Sequence, residues 1–124
     1  MNRHPDPEEV VQRQLEAYNA RDVEAILATY AEDAQQFEHP ATLIARGSTQ
    51  LRERFGVRFQ EPNLRAELLQ RIVMGNMVID HECVTRTFPE GTGTLELIAI
   101  YEVCDGRIAK AWFISGKKTV DQLF

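Results

Sequence analysis

The stretch TLELIAIYEVCDGRIAKAWFIS, residues 94–115, holds the strongest local signals in the sequence. Apolar side chains recur there at every second position, which is the period of a β-strand: Leu95, Leu97, Ala99 and Tyr101. Asp105-Gly106 follows and is typical of a two-residue hairpin turn. The stretch therefore predicts two antiparallel strands, residues 94–104 and 107–115.

The first of these strands is apolar on its other face as well, at Ile98 and Ile100. Apolar residues on both faces indicate that both faces are covered. The helices of the chain can cover only one face. We therefore expect the other, with Trp112 and Ile114, to meet a partner chain, most simply as a homodimer through the outer face of the sheet.

The alternation extends towards the N-terminus through residues 64–74 and 77–88, with turn signals at Gly75-Asn76 and at residues 89–93. Together these segments predict a four-stranded antiparallel meander. The first 60 residues instead show a helical period with three starts, predicted to be capped by Asp6, Asp22 and Ser48. Tyr30 is assigned to the second of these helices and Phe55 to the third, whose Arg52, Arg54 and Arg58 are predicted to face water.

Residues 35–40 alternate like a brief strand that ends at Pro40, with Phe37 and His39 on one face. Helices followed by an antiparallel sheet predict the α+β class. Because no linker or repeat interrupts the pattern, residues 1–124 are expected to form a single domain.

Composition excludes several classes of function. The formal net charge is −5 and the pI about 5.2, which argues against a nucleic-acid partner. No apolar run approaches the roughly 18 residues that a membrane span needs, and the polar start lacks the pattern of a secretion signal. The two cysteines, Cys83 and Cys104, have no zinc-like spacing and are expected to be buried. These features favour a cytoplasmic protein without metal or cofactor.

The order of local signals resembles that of one known superfamily. The signals are Asn19–Asp22 between two helices, Tyr30–Ala34, the strand ending at Pro40, Arg46-Gly47 opening a helix, and Asp105–Ile108 in the sheet. This order is similar to the nuclear transport factor 2-like superfamily, and most of all to its SnoaL-like polyketide cyclases and ketosteroid isomerases. The resemblance implies a cystatin-like α+β barrel, in which a curved antiparallel sheet wraps around three N-terminal helices. It also implies a cone-shaped, mostly apolar pocket for a hydrophobic small molecule of steroid, polyketide or terpenoid size.

The resemblance also implies roles for individual residues. His39 matches the acid that shuttles a proton in the isomerases, and an imidazole can accept a proton at neutral pH. The alternative is a histidine that only bonds the backbone before Pro40. Gln14 and Ala99 match the family's oxyanion-hole positions, and Ala99 cannot donate a hydrogen bond, so steroid isomerisation by that mechanism is not expected.

The cluster Asp80-His81-Glu82, with Arg86 at strand spacing, allows two arrangements. If its face lines the pocket, Glu82 and Arg86 form an acid–base or carboxylate-binding pair. If it faces out, Asp80, Glu82 and Arg86 are solvated and His81 points inward. A one-residue register slip exchanges the two, and the rarity of unpaired buried charges favours the solvated arrangement.

The sequence thus predicts a cofactor-independent isomerase, dehydratase or cyclase with His39 and Glu82 as catalytic residues. The alternatives are a non-catalytic ligand-binding module and an interaction subunit that uses the outer sheet. The residues predicted to line the pocket are Gln14, Tyr18, Tyr30, Phe37, Phe55, Arg86, Ala99, Tyr101 and Trp112.

Overall fold

A computed structural model of the chain describes residues 4–120. It contains three helices and six strands within that range. In chain order they are α1 (Pro7–Ala20), α2 (Val23–Leu27), β1 (Tyr30–Glu38), β2 (Thr42–Arg46), α3 (Gly47–Arg58), β3 (Arg65–Met74), β4 (Met77–Phe88), β5 (Gly91–Cys104) and β6 (Arg107–Val120). The predicted α+β class and the curved sheet around the helices are confirmed.

The strands form one curved, unclosed sheet in the order β2-β1-β6-β5-β4-β3. The predicted meander is present as β3 to β6, each strand antiparallel to the next. The sheet is mixed rather than wholly antiparallel, because β1 runs parallel to β6. A parallel pair needs a long connection, and here β2, α3 and β3 to β5 lie between β1 and β6 in the chain.

Several local predictions were wrong. Tyr30 is the first residue of β1 and not part of α2, and β2 gave no clear signal in the sequence. Of the three predicted caps, Asp22 accepts a hydrogen bond from the backbone N–H of Ala25, as expected. The Asp6 side chain makes no cap bond, and the Ser48 hydroxyl bonds instead to the carbonyl of Glu32.

The core lies between the helices and the concave face of the sheet. Its fully buried apolar side chains include Val11, Ile26, Leu51 and Ile108. Burying each of these removes apolar surface from water, worth about 1.5–3 kcal/mol per side chain. The packing fixes which sheet face is inner, and so which side chains can reach a cavity beneath the helices.

A β-bulge in β3 changes the face on which later side chains lie. Leu68 pairs with Glu82, but Gln70 pairs with His81, so Leu69 is an extra residue on the β3 side. Because side chains alternate between faces, one extra residue reverses the alternation beyond it. Arg71 therefore lies opposite Asp80 on the inner face, whereas Ile72 is exposed.

The outer face of the sheet carries the apolar side chains that the sequence singled out. Ile98, Ile100 and Trp112 are partly exposed, and Ile114 is exposed. Phe37 stacks on Trp112 with ring centroids 5.7 Å apart.

Both cysteines are free thiols. Cys83 is half-buried and Cys104 is exposed, so the expectation that both are buried was wrong. Within residues 4–120, none of the helices has the length and apolar character that a membrane crossing requires.

Candidate active site

A cavity of about 130 Å³ lies between α1, α3 and the inner face of the sheet. Part of its wall is apolar: Leu15, Phe55, Ala66, Val84, Leu95, Leu97 and Phe113. The rest is polar or charged: Gln14, Tyr18, Tyr30, Gln36, Arg54, Arg58, Glu82, Arg86, Tyr101 and Ser115. The wall is therefore more polar than the mostly apolar pocket that the resemblance implied, and its polar groups could orient a bound small molecule.

Glu82 is the acid of this cavity. It comes from the middle of β4, is only 5% exposed, and makes no side-chain hydrogen bond within residues 4–120. Burial, with a smaller contribution from the neighbouring Asp80, raises the pKa of the Glu82 carboxyl to about 7. Loss of hydration disfavours the charged carboxylate, which is the physical cause of such a shift.

Asp80, two residues before Glu82 on the same face, has a different environment. It is fully buried and accepts two hydrogen bonds from Arg71, at 2.7 Å from Nε and 3.0 Å from Nη2. Arg71 is anchored further by Gln12 on α1, whose side-chain oxygen is 3.0 Å from Nη1. Asp80 is thus a paired structural charge, and Glu82 is the unpaired carboxyl.

Two amides and two tyrosines form the buried polar side of the cavity. Gln36 Nε2 donates to the Tyr30 hydroxyl at 3.2 Å, and the Tyr101 hydroxyl donates to Gln14 Oε1 at 3.4 Å. Burial raises the pKa of both Tyr30 and Tyr101, so both remain protonated and can donate hydrogen bonds. The Gln36 side-chain oxygen is buried and has no partner within residues 4–120.

Three arginines and a tyrosine complete the wall. Arg54 and Arg58 lie one helical turn apart on α3, and Arg86 comes from β4. Arg86 makes two hydrogen bonds to Glu61, at 3.2 and 2.8 Å, and Arg58 Nε lies 3.5 Å from the same carboxylate. Burial raises the pKa of Tyr18, while Arg58 acts in the opposite direction.

The structure brings seven of the predicted site residues to this cavity. They are Gln14, Tyr18, Tyr30, Phe55, Glu82, Arg86 and Tyr101. Ala99 is fully buried on the inner face but does not line the cavity.

Besides Ala99, three predicted site residues lie away from the cavity: the proposed base His39 and the pocket residues Phe37 and Trp112. His39 follows the end of β1, is exposed, and does not line the cavity. Phe37 and Trp112 stack on the outer face. Gln36, the neighbour of Phe37 on β1, is 1% exposed and lines the cavity instead. The two-residue alternation of a strand does not by itself show which of its faces is the inner one.

The favoured arrangement of Asp80-His81-Glu82 was also wrong. Both acids are on the inner face, and His81 is outside, with its Nε2 2.7 Å from Glu96. The prediction that Arg54 and Arg58 face water was wrong too, since both line the cavity. Gln36 was missed altogether, although its place beside Phe37 in an alternating segment could have marked it as the inward residue.

The cavity is smaller than expected for a ligand of steroid size. Sites for drug-sized ligands usually measure about 300–1,000 Å³. Within residues 4–120, no group of three or more His, Cys, Asp or Glu side chains is arranged to hold a metal ion.

A curved sheet folded around helices, with a cavity beneath them, is the architecture of nuclear transport factor 2-like proteins. The chain belongs to the SnoaL-like domain family, whose family model matches residues 11–111. No curated protein matches the sequence significantly.

Solved structures show the same fold at low sequence identity. A cystatin-fold protein from Novosphingobium aromaticivorans is 22% identical, with a TM-score of 0.83 over 89% of this chain and 98% of its own. The epoxide hydrolase/cyclase-like enzyme SalBIII, described for pyran ring formation in the polyether salinomycin, is 18% identical, with a TM-score of 0.79 over 89% and 90%. An epoxide hydrolase from M. tuberculosis is 15% identical, with a TM-score of 0.77 over 89% and 82%.

Proposed function

We propose that this protein is a cofactor-independent enzyme in which Glu82 transfers protons to and from a small substrate in the cavity. One observation carries the proposal: a buried carboxyl without a hydrogen-bond partner in the described structure lines a cavity, and its pKa is about 7. Such a group is half protonated near neutral pH, so it can act as base in one step and acid in the next.

The groups around Glu82 suit a reaction in which negative charge develops on oxygen. Tyr18, Tyr30 and Tyr101 are held neutral by burial, and all three line the same cavity. Donors fixed in a site with little water stabilise an oxyanion more strongly than water does. A tyrosine hydroxyl could therefore take the place of the isomerase donor that Ala99 cannot supply.

The reaction class that fits best is ring formation or isomerisation driven by proton transfer. In ring closure onto an epoxide, a base removes a hydroxyl proton and an acid protonates the oxygen that is released. One carboxyl with a raised pKa and neighbouring tyrosines can supply both functions. The structural similarity to an epoxide hydrolase and to an epoxide hydrolase/cyclase-like enzyme supports this chemistry for the fold.

The cavity volume favours a compact substrate. A buried cavity of about 150 Å³ is known to hold one benzene ring, and this cavity measures about 130 Å³. We therefore propose a substrate whose buried part is a single ring or a chain of similar volume, rather than a steroid.

A panel of single-ring epoxides, hydroxy-epoxides and enolisable ketones tests the proposal. Turnover by the wild type, with a loss of about 10²–10⁴-fold in Glu82→Gln, is the expected result. Glutamine keeps the shape of the side chain and removes only the titrating proton. Binding of these probes without any turnover would favour the non-catalytic module instead, and full activity of Glu82→Gln would remove Glu82 from the mechanism.

A homodimer through the outer sheet face remains a proposal. Its support is the row of partly exposed apolar side chains at Ile98, Ile100 and Trp112. Sedimentation of the wild type beside Ile100→Lys tests it, since a charge at the centre of an apolar interface opposes association. Equal masses for the two proteins would exclude this surface as the interface.

A reducing compartment such as the cytoplasm also remains a proposal. It is supported by the two free thiols, one of them exposed at Cys104. Trapping thiols with a maleimide in intact cells should label both cysteines, whereas an oxidised pool would contradict the proposal.

A further inference from the structure

The charges around the cavity do not balance. Arg54, Arg58 and Arg86 all line it, and Glu61 is the carboxylate that serves two of them. One carboxylate shared between two guanidinium groups leaves positive charge even before the third is counted. This excess lies at a cavity lined by one carboxyl, Glu82, whose pKa is raised to about 7.

Arg54 is the one of these three arginines that does not share Glu61. It is half-buried and has no carboxylate within 4.0 Å among residues 4–120. Its neighbours are the ring of Phe113, 6.0 Å from the guanidinium carbon, and the other two arginines, which with burial lower its pKa. A guanidinium does not lose its proton under these conditions, so its charge persists and lacks a counter-ion.

Arg54 differs in its surroundings from Arg52 on the same helix. Arg52, two positions earlier on α3, is exposed and forms hydrogen bonds with Glu24. Arg54 has no such partner in the described structure and instead lines the cavity. The helix therefore presents a paired arginine to water and an unpaired one to the site.

A second, independent observation points to a ligand. The Gln36 side-chain oxygen is buried in the wall of the same cavity and has no hydrogen-bond partner within the described chain. Leaving a buried acceptor unsatisfied is unfavourable, so such groups usually have a partner. A donor on a bound molecule would satisfy it.

We infer that the ligand of this cavity is a compact carboxylate, whose charged group binds Arg54 and whose apolar body lies against Leu95, Leu97 and Phe113. A hydroxyl on the same molecule would donate to Gln36 Oε1. The planar Arg54 guanidinium can bind both oxygens of a carboxylate at once. This inference rests on the proposed function in taking the same cavity as the substrate site.

Two isosteric probes test the charge requirement: cyclohexanecarboxylate and cyclohexanecarboxamide. Titrations of the whole chain by NMR or calorimetry, at low ionic strength, compare wild type with Arg54→Gln and with the matched control Arg52→Gln. We expect the carboxylate to bind the wild type at least about tenfold more tightly than the amide. Arg54→Gln should lose that advantage, and Arg52→Gln, which removes the same charge from the same helix, should keep it.

The variant Arg54→Lys separates loss of the positive charge from a general loss of folding. It keeps the charge but not the two-pronged geometry, so it should bind the carboxylate with intermediate affinity. Equal affinity of the wild type for the two probes, no binding of either, or equal losses in Arg54→Gln and Arg52→Gln would each overturn the inference.

Turnover separates this inference from the proposed function. If Glu82→Gln abolishes turnover while the Arg54 variants bind both probes as wild type does, the enzyme proposal stands and the carboxylate inference fails. If the Arg54 variants lose the carboxylate while Glu82→Gln retains full turnover, the inference stands and the role of Glu82 fails.

Discussion

The two faces of β4 carry the same kinds of side chain under opposite conditions. On the inner face Asp80 and Glu82 are at most 5% exposed, whereas on the outer face the His81 side chain is 34% exposed and its partner Glu96 51%. In water, an ion pair of the outer kind contributes little to stability. Burial makes the inner carboxyl groups unfavourable for folding, because their charged forms lose hydration. The same loss of hydration raises the pKa of Glu82 and suits it to proton transfer.

A second contrast lies within the inner face. Asp80 and Glu82 are two residues apart and both buried, yet of these two acids only Asp80 accepts hydrogen bonds from Arg71. The paired acid accepts two hydrogen bonds from a guanidinium, whereas the unpaired acid has a pKa of about 7. The position of Arg71 therefore makes Asp80 part of a buried ion pair and leaves Glu82 free to react in the cavity.

The largest expected effect tests which face carries the chemistry. Glu82→Gln should lower kcat/KM by about 10²–10⁴-fold for a substrate identified in the panel, because the proton-transferring group is removed. The wild-type rate should also vary with pH around 7, and the variant should lack that dependence. His39→Gln, at an exposed residue away from the cavity, serves as the control and should retain activity; an equal loss there would restore His39 as a candidate base.

The next largest effect concerns the buried ion pair. Arg71→Met should lower the free energy of unfolding by about 3–5 kcal/mol, because it leaves the Asp80 carboxylate buried without its partner. Urea denaturation measures the change. The double variant Arg71→Met with Asp80→Asn should recover part of the loss, and a single-variant loss below about 1 kcal/mol would show that Asp80 does not depend on Arg71.

A third prediction concerns stability and pH. The pKa of Glu82 is about 7 in the folded chain against an ordinary value of 4.5, so between these values the folded state holds a proton that the unfolded state has lost. Stability contributed by Glu82 therefore falls as pH rises through this window, by about 3 kcal/mol in all. Glu82→Gln should become more stable than wild type as pH rises from 4 to 8, as followed by urea midpoints. A constant difference across that range would contradict the raised pKa.

The smallest effect is expected on the outer face. His81→Gln breaks the exposed contact with Glu96, so it should change the free energy of unfolding by less than about 1 kcal/mol. Activity should be unchanged, since His81 does not line the cavity. A large loss of either would mean that the outer face is covered, as a homodimer would require.

Most of the fold could be predicted from periodicity and turn residues, because β3 to β6 are long and joined by short turns. β2 could not, since Thr42–Arg46 is short and four of its five residues are exposed, so burial imposes no pattern on it. The parallel pairing of β1 with β6 joins segments about 70 residues apart and leaves no local signal. Tyr30 was assigned to a helix because its apolar spacing fits α2 as well as it fits the start of β1.

The site was less predictable, because a strand residue can line the cavity only if it lies on the inner face of the sheet. Glu82 and Arg86 were singled out by type and spacing, but the cost of burying charge argued for the wrong face. The partner that offsets that cost for Asp80 is Arg71 on the neighbouring strand, which only the register reveals. Phe37 and Trp112 pack against each other, a contact that aromatic residues make as readily outside a sheet as inside a pocket.

The extra residue in β3 has a consequence for insertions and deletions in this chain. Counting from Leu68, Arg71 reaches the inner face only because Leu69 is present. Deleting Leu69 would move each later side chain of β3 to the opposite face of the sheet. Arg71 would then point towards solvent, and Gln70 would lie opposite Asp80. A homologue one residue shorter at this point would keep the strand but would need a different way to accommodate a buried acid at position 80.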